Sequence, residues 1–163
     1  MTSTARQSLG DRGEAVVAKH ARCPGCKSAQ RTFRLLPNNF KCADVVCDFC
    51  GYLAQVKTQK TKTNLPSVCP RTFMGAAWGP QAERMAAGIY FSLYLVVEDP
   101  RGQMAIWFVP RDLQVPEMFI PRTPLSVTAK RSGWQGFVID TSKAMASPVR
   151  YEAGGVLEFR FNN

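Results

Sequence analysis

The stretch CADVVCDFCGYLAQVK, residues 42–57, decides the fold of this chain. Its CxxC segment from Cys47 to Cys50 is typical of a turn that holds a metal ion. The residues on either side, including Tyr, Leu and Val, suit a pleated surface. We therefore expect a strand over 39–46, a metal-binding turn and a second strand over 52–58.

Three side chains around this turn form a candidate catalytic set. Side chains two residues apart on a strand share a face, so Gln55 and Lys57 project together. Asp44 lies near the turn, and a hairpin directs both of the other side chains toward it. The stretch therefore brings together an acid, an oxygen ligand and an amine.

A second CxxC pair, formed by Cys23 and Cys26, precedes the pair formed by Cys47 and Cys50. Two such pairs at this spacing predict a zinc ion held by four thiolates. Four thiolates close a tetrahedral shell and leave no open position for water. We therefore expect a structural zinc ion.

Three further residues are candidates for the same shell. His20 lies three residues before the first CxxC pair and is an alternative ligand, but with four cysteines present we expect it to be a helix-end residue. Cys42 and Cys69 fit neither pair. We expect these two thiols to be small buried side chains without a chemical role.

Length and charge restrict the class of protein. A chain of 163 residues, 45% of them hydrophobic, predicts one domain with a core over residues 1–163. Its 21 Lys and Arg against 12 Asp and Glu give a formal net charge of +9. Such an excess favours a polyanionic partner, and nucleic acid is the first hypothesis.

The sequence also bears on the compartment. Residues 1–7 are polar and lack the hydrophobic core of a signal peptide, which argues against a secreted disulfide framework for the six cysteines. We therefore expect a cytoplasmic location. The longest apolar run, over 89–97, is about half as long as a membrane-spanning helix, so no membrane role is indicated.

The remaining elements predict a mixed α/β (α+β) fold without internal repeats. Asp11 and Glu14 resemble a capping pair at the start of a helix that ends near His20. A helix is predicted over 74–87, and a hairpin over 89–98 and 103–109 with its turn at 99–102. An irregular proline-rich segment over 110–124 and a basic loop over 125–136 follow. The last elements are a strand over 137–139 and a strand over 156–161, in which Leu157, Phe159 and Phe161 share one face.

The residue types present limit the reaction mechanisms that this chain can support. His20 is the only histidine, which leaves little room for histidine-based catalysis, and it is not followed by the Glu that a zinc deaminase requires. What remains is metal-assisted hydrolysis by carboxylate and lysine, because Mg²⁺ prefers oxygen ligands and activates water. Lys60 and Lys62 lie directly beyond the catalytic strand, either as a solvated surface or as phosphate contacts.

The order Asp44, Gln55, Lys57 resembles the PD-(D/E)xK nuclease site. Combined with one CxxC pair before Asp44, a second inside the gap, and the run over 122–140, the sequence resembles the catalytic domain of methyl-directed restriction endonucleases of the DpnI family. The resemblance extends over roughly residues 10–155.

This resemblance implies a PD-(D/E)xK core with an inserted pair of zinc knuckles that share four cysteine ligands. It further implies a Mg²⁺- or Mn²⁺-dependent endonuclease, cytoplasmic in a prokaryote or encoded by a phage, that acts on duplex DNA at a Gm6ATC-like site. Asp44 and Gln55 would bind the divalent ion, and Lys57 would act beside them. Trp134 would contact the methylated adenine, with Lys130 and Arg131 at phosphates or base edges.

There are two departures from the family. Gln55 stands where the family has Glu, and the sequence stops near Asn163, where the longer enzyme continues into a winged-helix DNA-binding domain, so we expect no such domain. Two alternatives therefore stay open: a catalytically silent, zinc-stabilised reader of methylated DNA, and a zinc-stabilised module that binds protein or RNA. A monomer is the favoured state.

Overall fold

The computed structural model describes residues 4–161, so the first three residues of the polar N-terminal stretch lie outside it. The mixed α/β class is confirmed. The elements are α1 (Ala5–His20), β1 (Phe33–Leu35), β2 (Val45–Cys47), β3 (Leu53–Lys60), β4 (Thr72–Gly75), α2 (Trp78–Ala86), β5 (Ser92–Glu98), β6 (Gln103–Val109), β7 (Phe119–Pro121), β8 (Phe137–Asp140), β9 (Val149–Arg150) and β10 (Glu158–Arg160), with short 3-10 helices at Arg111–Leu113, Pro116–Met118 and Thr141–Lys143.

The strands form two sheets. The larger sheet has seven strands in the order β1-β2-β3-β5-β6-β10, with β9 also paired to β6. Its neighbours are antiparallel except for β3 and β5, which run parallel and are connected through β4 and α2. The smaller sheet has the antiparallel order β4-β8-β7. Neither helix of the described range is long and apolar enough to cross a membrane.

Strand β5 is the centre of the packing, since all seven of its residues are buried. Tyr94 and Val96 belong to a core shared with α1, whereas Leu93, Leu95 and Val97 belong to a core shared with the smaller sheet. Alternate side chains of a strand point to opposite faces, so β5 is covered on both sides. The order of the layers is α1, larger sheet, smaller sheet.

Helix α1 begins earlier than the sequence predicted. Thr4 is the N-cap, and its hydroxyl oxygen accepts a hydrogen bond from the Gln7 amide at 3.2 Å. The predicted cap at Asp11 is therefore wrong, because Thr4 satisfies a free amide almost two turns upstream. The predicted end at His20 is confirmed.

Helix α1 crosses β3 at Gly13. A methyl group added at Gly13 would overlap the hydroxyl of Thr58, so only glycine permits this approach. The same helix is held to the end of β5 by Arg12, whose guanidinium nitrogen lies 2.6 Å from the Glu98 carboxylate. Helix α1 is therefore fixed against β3 at a defined point.

The predicted helix over 74–87 is wrong in its first turn. Met74 lies in β4, where it pairs with Val138, and the helix starts at Trp78. Pairing within the smaller sheet overrides the helical tendency of Met and Ala in this segment. The end of the helix before Gly88 is confirmed, since Gly88 has a φ of +69°.

The hairpin of β5 and β6 is confirmed, with β6 at the predicted bounds and a turn closed by the Gly102 amide, which donates to the Asp99 carbonyl at 3.0 Å. Its first strand starts at Ser92 rather than at residue 89. Other predictions differ from the structure: the strand predicted over 52–58 is Leu53–Lys60. Residues 39–44 form turns before β2, the segment 110–124 contains β7, and of the three predicted inward residues near the C-terminus only Phe159 is buried.

Replacing Gly13 by Ala should lower the free energy of unfolding by about 1–3 kcal/mol, because the new methyl group has no space against Thr58. Gly10→Ala is the matched control, since a methyl group there meets nothing within 4 Å. It should stabilise the helix by about 0.5–1 kcal/mol. Urea unfolding measures both, and adding Thr58→Ala to Gly13→Ala should restore most of the loss. A Gly13→Ala protein as stable as Gly10→Ala would contradict the crossing.

Candidate active site and metal centre

Four cysteines meet at one point of the fold. The sulfur atoms of Cys23, Cys26, Cys47 and Cys50 all lie within 4.8 Å of one another. Those of Cys23 and Cys50 are 3.6 Å apart, and those of Cys26 and Cys47 are 3.8 Å apart. A tetrahedral zinc ion with Zn–S bonds of about 2.3 Å requires sulfur separations of about 3.8 Å. The four side chains therefore fit a zinc ion.

The surroundings raise the pKa of one of these thiols and lower that of another. Burial raises the pKa of Cys23 to about 12. Burial also raises the pKa of Cys47, but hydrogen bonds from the Thr32 hydroxyl and from the amides of Cys50 and Phe49 outweigh it and lower the value to about 6. The hydrogen bonds to Cys47 therefore favour its thiolate form, whereas burial of Cys23 opposes ionisation.

The other candidate zinc ligands lie outside this cluster. The His20 ring packs on Phe159 with a centroid distance of 4.6 Å, at the end of α1. Cys42 and Cys69 are half-buried rather than fully buried. The cluster therefore joins the segment after α1 to the turn between β2 and β3, with no ligand from elsewhere in the described residues.

Asp44 is held at the point where β2 and β3 part. Its amide donates to the Ala54 carbonyl at 2.9 Å, and its carboxylate oxygen Oδ2 accepts from the Val56 amide at 2.6 Å. The carboxylate thus takes the position that a backbone carbonyl would have in a continued ladder. Beyond Val56, no strand of the described range pairs with this edge of β3.

The turn that delivers Asp44 is constrained. Cys42 has a φ of +63°, a left-handed conformation that is uncommon for a residue other than glycine. The Lys41 carbonyl accepts a hydrogen bond from the Arg84 guanidinium at 2.8 Å, which ties the turn to α2. The local strain at Cys42 is therefore maintained by a contact from another element.

Gln55 and Lys57 lie on one face of β3. Ala54 and Val56 belong to the core shared with α1, so by alternation Gln55 and Lys57 point to the opposite face. Gln55 is only 5% exposed, and Lys57 is half-buried. The carboxylate of Asp44 is bonded to the residue between them.

Glu14 on α1 is a third charged residue near this site, although the sequence pattern predicted only a capping role for it. Burial, followed by the charges of Asp44 and Asp11, raises its pKa to about 7, against the opposing effect of the Lys57 ammonium. These effects place Glu14 within the electrostatic reach of Asp44 and Lys57. The sequence could not predict this role, because the residues that surround Glu14 are brought to it only when α1 packs on the sheet.

The candidate DNA contacts lie on two separate segments. Lys60 ends β3, Lys62 follows it, and Lys130 and Arg131 lie in the loop before β8; all four are exposed. The loop is closed by hydrogen bonds from the Leu125 amide to the Trp134 carbonyl at 2.8 Å and from the Gly133 amide to the Leu125 carbonyl at 3.0 Å.

Trp134 is half-buried at the edge of the smaller sheet. A methyl group added at Gly136 would lie 3.0 Å from the indole ring and 3.1 Å from the Gly75 carbonyl oxygen, so Gly136 fits closely between the indole and Gly75. The Arg131 guanidinium lies over the ring at 4.5 Å from its centroid. The indole is therefore a surface group with one face covered by an arginine.

We expect removal of zinc by a chelator to unfold the protein, because a closed four-cysteine site contributes to folding directly. Cys47→Ser should reduce the zinc content and lower the melting temperature. Cys69→Ala, a half-buried thiol outside the cluster, is the control and should retain zinc. The zinc content and the thermal unfolding of both variants are measured. A Cys47→Ser protein with unchanged zinc content and melting temperature would contradict the assignment of a four-cysteine zinc site.

The chain was compared with families of known proteins. The model of the family described as "DpnI: Dam-replacing family" matches residues 3–149. The match includes both CxxC pairs, Asp44, Gln55, Lys57 and the loop that carries Trp134. The chain therefore belongs to the DpnI (Dam-replacing) family, whose members act on DNA in connection with its methylation.

Proposed function

We propose that this protein is a divalent-metal-dependent endonuclease that hydrolyses phosphodiester bonds in duplex DNA containing N6-methyladenine, at a Gm6ATC-like site. The observation that supports it best is the hydrogen bond that fixes the Asp44 carboxylate to Val56, between Gln55 and Lys57. A PD-(D/E)xK site needs an acid, a second oxygen ligand and a lysine on two adjoining strands, and this arrangement supplies them.

The donor atoms suit a hard divalent ion. Asp44 offers a carboxylate oxygen beyond the one that accepts from Val56, and Gln55 offers a neutral amide oxygen; oxygen donors are those that Mg²⁺ and Mn²⁺ prefer. Asp44 and Gln55 would hold the ion. When bound, it would supply electrostatic stabilisation of the negative charge that develops on the phosphate.

Lys57 has a separate role in this proposal. Its side chain is half-buried on the same face as Gln55, and it makes no ion pair with another residue of the described range. A partly desolvated ammonium that is not neutralised by an ion pair is suited to bind a phosphate oxygen and to orient the attacking water. Lys57 therefore positions the reactants and compensates charge.

Binding of DNA would rest on the basic surface. The formal net charge of +9 favours association with a polyanion, and Lys60, Lys62 and Lys130 are exposed. Contacts of this kind go mainly to phosphates and carry no sequence information. Selection for the methyl group is assigned to Trp134, whose half-buried indole is part of this loop.

A catalytically silent reader of methylated DNA is the second candidate, and one observation favours it. Gln55 is neutral where the family motif has an acid, which removes one negative charge from the ion site. A weaker ion site would leave DNA binding intact while slowing hydrolysis. Cleavage assays distinguish the two candidates, since a reader binds methylated duplex without cutting it.

Asp44→Asn should abolish cleavage of methylated plasmid in Mg²⁺ or Mn²⁺ while the protein stays folded, because an amide oxygen can still accept from Val56. Lys57→Ala should have the same effect. Asp112→Asn changes an exposed acid and is the matched control, which should cut at the wild-type rate. Plasmid cleavage with methylated and unmethylated substrate measures this. Full activity of Asp44→Asn would eliminate the proposed site.

Trp134→Ala should reduce the preference for methylated over unmethylated duplex by about fourfold for each methyl group, since burying one methyl contributes about 0.8 kcal/mol. Lys130→Ala is the control and should weaken binding to both duplexes equally, with a shallower salt dependence. Lys130 is a better control than Arg131, whose guanidinium covers the indole. Titrations of duplexes that differ only in methylation decide it, and a folded Trp134→Ala protein with full methyl preference excludes this contact.

A further inference from the structure

The start of helix α2 is bonded to the loop that carries Trp134. The residue before the helix, Ala77, has no side chain that could cap it, so the first amides of the helix need other acceptors. The Trp78 amide donates to the Gln135 carbonyl at 2.8 Å, and Gln135 directly follows Trp134 in the chain. The Trp78 ring also packs on Phe137, with a centroid distance of 5.8 Å. The start of α2 therefore moves with this loop.

The other end of α2 is bonded to the turn that delivers Asp44. The Arg84 guanidinium donates to the Lys41 carbonyl at 2.8 Å, and Lys41 lies three residues before Asp44. The same guanidinium lies over the Phe91 ring, 4.8 Å from its centroid, so it is held from a second side. One helix therefore connects the loop of Trp134 to the turn of Asp44.

Both connections lie beside an unusual backbone conformation. Cys42 and Ala77, each with a φ of +63°, are the two residues other than glycine with a positive φ within residues 4–161. Cys42 directly follows the Lys41 carbonyl that accepts from α2, and Ala77 directly precedes the Trp78 amide that donates to the loop. Such a conformation persists only where the surrounding contacts impose it. The hydrogen bonds at the two ends of α2 are contacts of this kind.

The position of α2 depends on these end contacts. Gln81 is the only fully buried residue of the helix, so α2 has no large buried face that would hold it independently of its ends. A helix of nine residues is about 13 Å long and acts as one rigid body over that length. A displacement of one end is therefore passed to the other.

We propose that α2 couples the contact at Trp134 to the divalent-ion site, and that Arg84 is the positioning residue for Asp44. This inference rests on the proposed function. A methylated duplex that fills the contact at Trp134 fixes the loop and, through Gln135, the start of α2. Arg84 at the other end then holds the Lys41 peptide group, and with it the Asp44 carboxylate, in the geometry that binds the ion. Methyl recognition and ion binding thus favour each other, as two coupled sites must.

The test is Mn²⁺ binding by the zinc-loaded full chain with saturating methylated or unmethylated duplex. The chain carries Lys57→Ala so that the duplex stays uncut, and free Mn²⁺ is measured by electron paramagnetic resonance. We expect Mn²⁺ to bind about fivefold or more tightly with the methylated duplex than with the unmethylated one. Adding Arg84→Ala should reduce this ratio to about one, because the Lys41 carbonyl loses its donor.

Two variants separate positioning from a general loss of structure. Glu83→Ala changes an exposed residue of the same helix that belongs to neither connection, and should keep the full ratio. Arg84→Lys keeps a donor on a flexible side chain and should keep part of it. Arg84→Ala should also retain the preference for methylated duplex measured without Mn²⁺, since the loop of Trp134 is unchanged. Thermal unfolding establishes that each variant is folded.

A folded Arg84→Ala protein with the full ratio would overturn the inference. An equal loss in Glu83→Ala would do the same, as would a ratio of about one, or no Mn²⁺ binding, in the chain that retains Arg84. Plasmid cleavage by the wild type is measured separately. If the wild type cuts methylated DNA and the ratio does not depend on Arg84, the inference alone fails; if the ratio depends on Arg84 but no DNA is cut, the proposed nuclease alone fails.

Discussion

The mutual proximity of four cysteine sulfur atoms, all within 4.8 Å of one another, is the constraint on which the site depends. Thiolates at such separations repel unless a cation lies between them. A cation bound there would join the segment after α1 to the turn between β2 and β3. That turn lies directly between Asp44 and Gln55 in the chain, so the four cysteines lie next to the residues of the candidate active site.

The second constraint is the substitution of a side-chain oxygen for a main-chain oxygen. Where the ladder between β2 and β3 ends, the Asp44 carboxylate accepts the next amide, that of Val56. This hydrogen bond gives the Val56 amide an acceptor and positions an acid where β2 and β3 separate. It also leaves the rest of that β3 edge without a paired strand in the described range.

The spacing of residues in the sequence predicted those features that depend on neighbouring residues in the chain. The two CxxC pairs predicted the cluster, and the Pro and Gly of the 99–102 turn predicted the hairpin of β5 and β6. It did not predict features that depend on contacts between distant parts of the chain. Met74 is in a strand because Val138 pairs with it, and the charges of Asp44 and Lys57 act on Glu14 because Gly13 lets α1 approach β3. No pattern along the chain encodes either contact.

The complete burial of β5 has a thermodynamic consequence. Its alternating side chains contribute to both cores, Tyr94 and Val96 to one and Leu93, Leu95 and Val97 to the other. Neither core can be opened without exposing one face of this strand to water, and exposing it weakens the other core. We therefore expect the layer beside the cysteine cluster and the layer that carries Trp134 to unfold together, so that loss of a metal ion at the cysteines would also destabilise the loop of Trp134.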